Sequence, residues 1–146
     1  MIDSYISSKN FKEALVFLEK NKAPENKLAY QKVTFYRGLE LYNENKFAEA
    51  STLFEKSIAI EKDAFITARA TFWNAETQYA QEEYKNAVSS YKQFVAFAQA
   101  AATPEYKNAY YNLAYAHFKL KEYAQAGNYF ENQIEKFKTD KVRLHD

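Results

Sequence analysis

One pattern recurs four times along the chain and restricts its fold more than any other feature. The segments are Asn10-Phe11-Lys12-Glu13-Ala14, Lys46-Phe47-Ala48-Glu49-Ala50, Glu83-Tyr84-Lys85-Asn86-Ala87 and Glu122-Tyr123-Ala124-Gln125-Ala126. Each holds a polar residue, an aromatic, two mostly polar residues and an alanine. Four positions after each alanine stands a large apolar or aromatic residue: Leu18, Phe54, Tyr91 or Phe130. The alanines are 36, 37 and 39 residues apart. Nine residues before the last three aromatics stands a small residue: Gly38, Ala75 or Ala114. A period of this size marks a stack of supersecondary units, none of which can bury its apolar face alone.

Each unit reads as two helices. Apolar residues recur at helical spacing on both sides of a short polar stretch, as in Leu39 and Tyr42 before Asn43-Glu44-Asn45-Lys46, and Ala50, Phe54 and Ile58 after it. So short a connection forces the two helices to run antiparallel. Helix starts fall between units. Thr103-Pro104-Glu105 reads as an N-cap, a first-turn proline and an early acid, and Pro24-Glu25 and Asp63 read as similar starts. The spacing predicts helices over about Ile2–Ser8 and Phe11–Lys20, Glu25–Glu44 and Phe47–Glu61, Ala64–Gln81 and Tyr84–Ala100, and Pro104–Leu120 and Tyr123–Phe137. Thr139-Asp140 would cap one more short helix. The small residues fit close helix crossings, and the aromatics fill the space between one pair and the next.

Composition agrees with this reading and removes alternatives. Two glycines are too few for most β-rich folds and for Gly-rich phosphate loops. The absence of cysteine excludes disulfides, Cys-ligated metals and thiol nucleophiles. A net charge of +1 offers no basic excess for nucleic acid. The apolar runs are far shorter than the ~20 residues that span a bilayer, so no direct membrane insertion is expected. The compartment stays open between a bacterial cell envelope and a cytoplasm.

These residues resemble the tetratricopeptide repeat family. The resemblance rests on Tyr36-Arg37-Gly38, Phe47, Ala50 and Phe54 in one unit. Trp73, Ala75, Tyr84, Ala87 and Tyr91 carry it in the next, and Tyr110, Leu113-Ala114, Tyr123, Ala126 and Phe130 in the last. It implies an all-α, right-handed α-solenoid of antiparallel helix pairs, about three and a half repeats long. The repeats would run over about 1–24, 25–62, 63–102 and 103–138, followed by a helical stub. The incomplete first unit and the stub suggest a segment of a longer array. The units exceed the usual ~34 residues. The usual glycine of the turn within each pair is replaced by Lys9, Asn45, Glu82 and Lys121, and the closing proline is missing after Ile60.

The resemblance further implies an interaction scaffold whose first helices line a concave, partner-binding groove. Helical spacing then nominates Lys32, Phe35, Leu39 and Tyr42, followed by Arg69, Phe72, Glu76 and Tyr79, and then Tyr111, Tyr115 and Phe118. Two arrangements are open. The rings line a groove, or they pack between adjacent first helices, with Tyr42, Tyr79 and Phe118 beside the turns partly buried. Exposure of Phe35, Phe72 and Tyr111 would favour a binding groove, and their burial a structural spacer or self-associating module. Family members that grip a C-terminal carboxylate use Lys and Asn on successive first helices. Phe35, Leu39, Phe72 and Glu76 offer no such clamp, so an apolar or aromatic protein partner is expected rather than an acidic tail. No catalytic or zinc motif appears. His117 lies in a helix facing the packing interior, and His145 at the terminus. An enzyme, a cofactor and a nucleic-acid partner are therefore not expected, whereas homotypic stacking through the ends stays open.

Overall fold

The computed structural model describes residues 10–145. The expected helix over Ile2–Ser8 and the turn residue Lys9 lie outside them. Seven α-helices follow one another: α1 Phe11–Glu19, α2 Lys27–Asn43, α3 Phe47–Ile60, α4 Ala64–Ala80, α5 Tyr84–Ala96, α6 Tyr106–Lys119 and α7 Tyr123–His145. Single 3-10 turns cover Pro24–Asn26 and Ala100–Ala102. There is no strand among the described residues. Each helix packs on its neighbours in the chain, and α2 also touches α4. The result is an α-solenoid of antiparallel pairs, α2/α3, α4/α5 and α6/α7, preceded by α1.

The pairs close through one repeated turn. After α2, the Asn45 N–H donates to the Tyr42 carbonyl at 2.9 Å, and the Lys46 N–H to the Leu41 carbonyl at 2.9 Å. The same two bonds follow α4, from Glu82 to Tyr79 and from Glu83 to Gln78. They follow α6 from Lys121 to Phe118 and from Glu122 to His117. This paired capping satisfies the last carbonyls of each helix and requires one left-handed residue. Asn45, Glu82 and Lys121 fill that place with φ of 63°, 62° and 63°, where glycine would be unstrained.

The small positions are where the helices cross. Ala14, Ala50, Ala87, Ala75 and Ala114 are wholly buried. At Gly38 the approach is closest: a Cβ would stand 2.7 Å from Cε1 of Phe54. The core runs along the solenoid in clusters that each bridge a pair and the first helix of the next. Phe35, Leu41, Phe54, Ile66 and Ala70 join α2, α3 and α4. Phe72, Tyr91, Phe94, Ala109 and Leu113 join α4, α5 and α6.

Three helix ends depart from the periodicity. α5 stops at Ala96, although alanines continue to Ala102, because Phe97 is extended (ψ 137°) and turns the chain so that Ala100 enters the core. Thr103 does not cap α6. Its hydroxyl donates backward to the Ala100 carbonyl at 2.7 Å, and Pro104-Glu105 form a turn before the helix starts at Tyr106. Thr139-Asp140 caps no separate helix, since α7 continues through it to His145 and contains no proline. Asp63 does cap α4: its Oδ1 accepts from the Phe65 and Ile66 N–H groups at 2.9 and 3.2 Å. The turn before α4 is held by Gln31, a wholly buried α2 residue. Its amide donates to Thr67 Oγ1 at 2.8 Å, and its carbonyl accepts from the Lys62 and Asp63 N–H groups at 3.1 and 2.7 Å.

The turns and crossings respond oppositely to substitution. Glu82→Gly relieves a left-handed residue and should stabilise the chain by about 1 kcal/mol. Gly38→Ala drives a methyl into the Phe54 ring and should destabilise it by about 1–3 kcal/mol. Urea unfolding of the two variants reads both signs.

Candidate functional site

Nine of the nominated residues occupy three equivalent positions on the first helices α2, α4 and α6. The repeat aligns Phe35 with Phe72 and Tyr111, Leu39 with Glu76 and Tyr115, and Tyr42 with Tyr79 and Phe118. The structure divides them by their place in the stack rather than by their spacing.

Phe35 and Phe72 are not groove residues. They are 0% and 3% exposed. Phe35 meets Phe54 of its own pair with ring centroids 6.1 Å apart, and Phe72 meets Tyr91 and Phe94 at 5.8 and 5.3 Å. This helical position points at the second helix of the pair, and the next first helix seals it. Tyr111 makes the same contact with Phe130 at 5.8 Å but is 42% exposed. Among the described residues no helix follows α7 to cover it.

Beside the turns one edge-on ring pair is repeated. Tyr42 meets Phe47, Tyr79 meets Tyr84, and Phe118 meets Tyr123, at 5.3, 5.2 and 5.3 Å. Tyr42 is further covered by Trp73 of α4 at 5.2 Å and is half-buried, as is Tyr79. Phe118, expected to be partly buried, is 50% exposed, and Tyr123 is exposed as well. Tyr115, also 50% exposed, lies edge-on to Phe130 at 5.1 Å. Tyr111, Tyr115, Phe118 and Tyr123 thus give the α6/α7 end an aromatic surface that the earlier pairs lack.

The two nominated cations differ from a ligand-facing pair. Lys32 is half-buried on α2. Arg69 is engaged internally. Its Nε donates to Glu105 Oε1 at 2.6 Å, and the Trp73 indole N–H donates to the same oxygen at 3.1 Å. The guanidinium also lies 4.9 Å from the centre of the Phe35 ring. Glu105 is buried, so this pair bolts α4 to the start of α6.

Glu76 lines a cleft of about 320 Å³ together with Tyr79, Tyr91, Asn112 and Tyr115. The Tyr91 hydroxyl donates to Glu76 Oε1 at 2.6 Å, and the Asn112 amide donates to the same oxygen. Burial pushes the Glu76 carboxyl above its usual range, and these two donors pull it part of the way back. Burial, then the adjacent Glu76, raises the Tyr91 phenol and keeps it a donor. Spacing alone misses Tyr91 and Asn112, which lie on a second helix and off the nominated stripe. The signal for the cleft was Glu76, an acid on an otherwise apolar face.

His117 is buried, with Nδ1 3.0 Å from Glu122 Oε1 and its ring stacked on Tyr129 at 5.4 Å. No group of three His, Cys, Asp or Glu residues that could hold a metal occurs among the described residues. No helix there is long and apolar enough to cross a membrane.

A family model described as tetratricopeptide repeat matches residues 108–135, from α6 through the turn into α7. The solved structure named "MamA RS-1 ArsTM double mutant" is similar over 92% of this chain and 70% of its own, at 19% identity and a TM-score of 0.65. Residues 108–135 thus match a tetratricopeptide repeat, and the solved structure shares the fold of the chain. No curated protein matches it. Repeats of this kind typically serve as interaction scaffolds for other proteins.

Its internal ion pair is testable. Arg69→Met leaves the Glu105 carboxylate buried without its cation and should cost about 3 kcal/mol. Adding Glu105→Leu should recover most of that loss. Urea unfolding of the single and double variants measures both effects.

Proposed function

We propose that the chain recruits a partner protein or peptide through its first-helix face, at the end formed by α6 and α7. The observation that carries this reading is the exposure of Tyr111, Tyr115 and Phe118 together. Contiguous exposed rings of this kind are uncommon on a surface without a partner. Tyr and Phe bury large areas with few rotatable bonds, which suits the centre of an interface. The partner side is apolar or aromatic. Glu76 in the adjoining cleft and the engagement of Arg69 with Glu105 speak against an acidic tail. Lys32, Leu39, Tyr42 and Tyr79 extend the face toward α2, while Phe35 and Phe72 support it from beneath. The repeat units are taken as about 1–24, 25–62, 63–102 and 103–138.

One observation favours a second reading. At the same positions in the earlier pairs, Phe35 and Phe72 are sealed by the first helix of the next pair. The exposed rings of α6 therefore also match a surface on which a further repeat, or a second copy of the chain, would stack. The segment would then act as a spacer or self-association module.

Calorimetric titration against an apolar and aromatic peptide library separates the two, together with light scattering over a concentration series. Recruitment predicts a monomer that binds peptides, with at least about tenfold loss of affinity in Tyr115→Ala. Stacking predicts concentration-dependent association that Tyr115→Ala abolishes, without peptide binding. Peptide binding undiminished in both Tyr115→Ala and Phe118→Ala removes this surface from the function.

A further inference from the structure

The three first helices place Leu39, Glu76 and Tyr115 at one structural position. Leu39 fills it beside the apolar core of its own pair. The residue aligned with Tyr91 in that pair is Phe54, which has no hydroxyl to satisfy, whereas Glu76 accepts from the buried Tyr91 hydroxyl and from Asn112, a structural duty that one of its oxygens meets. Both donors to Glu76, from Tyr91 and Asn112, fall on Oε1. Oε2 has no hydrogen-bond partner among the described residues, and no Lys, Arg or His there forms an ion pair with this carboxylate. Around it stand Tyr79, Tyr91 and Tyr115, in a cleft of about 320 Å³. Such a space is several times the ~30 Å³ of one water, enough for the end of a long side chain.

We propose that this cleft receives a cationic side chain, Lys or Arg, from a protein partner. Ring faces attract an ammonium or guanidinium, and the carboxylate supplies its counter-charge in a site partly screened from water. With one oxygen already holding two donors, the contact is monodentate, so either cation fits and neither needs a two-pronged grip. A metal ion is a poor occupant, because hard cations take several oxygen ligands and only one carboxylate lines the cleft. An acidic segment would meet like charge. The inference rests on the first-helix face being the interaction surface, and it adds the charge of the residue that enters it.

The test is an NMR titration of the whole chain with N-acetyl-arginine amide and N-acetyl-lysine amide, beside the neutral N-acetyl-citrulline amide and N-acetyl-norleucine amide. The cationic probes should give saturable shifts at Glu76, Tyr115 and the Asn112 side-chain amide, and the neutral ones should not. Glu76→Gln should weaken the cationic probes about tenfold while leaving the rest of the spectrum in place. Glu76→Leu paired with Tyr91→Phe, which copies Leu39 and Phe54 of the first pair, should abolish their binding and keep the fold. Equal shifts from neutral probes, no shifts from the cationic ones, or unchanged affinity in Glu76→Gln each overturn the proposal. A library peptide that loses affinity on Tyr115→Ala but binds Glu76→Gln as it binds the parent chain leaves the interaction surface standing and removes the cation pocket.

Discussion

No helix pair in this molecule can finish burying its own rings. Phe72 lies between Tyr91 and Phe94 of its pair, but Ala109 and Leu113 of α6 complete the enclosure. Phe35 depends in the same way on Ile66 and Ala70 of α4. The hydrophobic gain of each unit is realised only when its neighbour is in place, which makes the solenoid cooperative from pair to pair. The same dependence sets apart the last pair among the described residues. Tyr111 makes the ring contact that Phe35 and Phe72 make, yet keeps two-fifths of its surface in solvent. The same ring position is thus sealed in α2 and α4, where a further first helix packs on it, and open in α6, which no helix among the described residues covers.

Close approach between the helices is bought with small residues and with a turn of fixed geometry. Alanine meets the first need at nearly every crossing, while Gly38 faces the Phe54 ring so closely that no Cβ fits without movement. The turn needs a left-handed residue, which Asn45, Glu82 and Lys121 supply. Asn tolerates that region through its short polar side chain, whereas Glu and Lys enter it with strain. Two well-formed backbone bonds per turn, together with the ring pairs Tyr42–Phe47, Tyr79–Tyr84 and Phe118–Tyr123, hold the strained residue in place. This is how a chain with two glycines builds a set of tight helical hairpins.

Features set by local spacing were legible in the sequence. Helix identity, pairing, the small crossing positions and the Asp63 cap all follow from residues within one or two turns of each other. The end of α5 was not, because Ala100–Ala102 are strong helix formers and only tertiary packing makes Phe97 extended. The start of α6 was hidden for a related reason: Thr103 has the chemistry of a cap, but the turn is organised around burying Glu105 against Arg69. Ring exposure was illegible in principle. Phe35, Phe72 and Tyr111 have the same helical position, and whether a helix covers them depends on the stack. The cleft was half legible, since Glu76 stood out on its face while Tyr91 and Asn112 join it only through packing.

Short connections fix the order of the pairs along the chain, as between Ile60 and Ala64, but apolar stacking alone distinguishes poorly between similar junctions. The polar contacts between first helices are what distinguish one junction from another. Gln31 to Thr67, Arg69 to Glu105 and Glu76 to Asn112 each bridge 36 residues, one repeat along the chain. The first junction is sealed by a neutral amide and the second by an ion pair and a carboxylate–amide bond. Exchanging neighbours would leave each of these buried groups without its complement, at a cost well above that of a mismatched hydrocarbon contact. The polar junctions therefore add specificity to each native interface, and the rings supply most of the adhesion. Glu76 departs from this division of labour, because its contact with Asn112 occupies one oxygen and leaves the other uncommitted. A group that the junction uses only in part, set among rings at the edge of the exposed surface, is placed to act on something outside the stack.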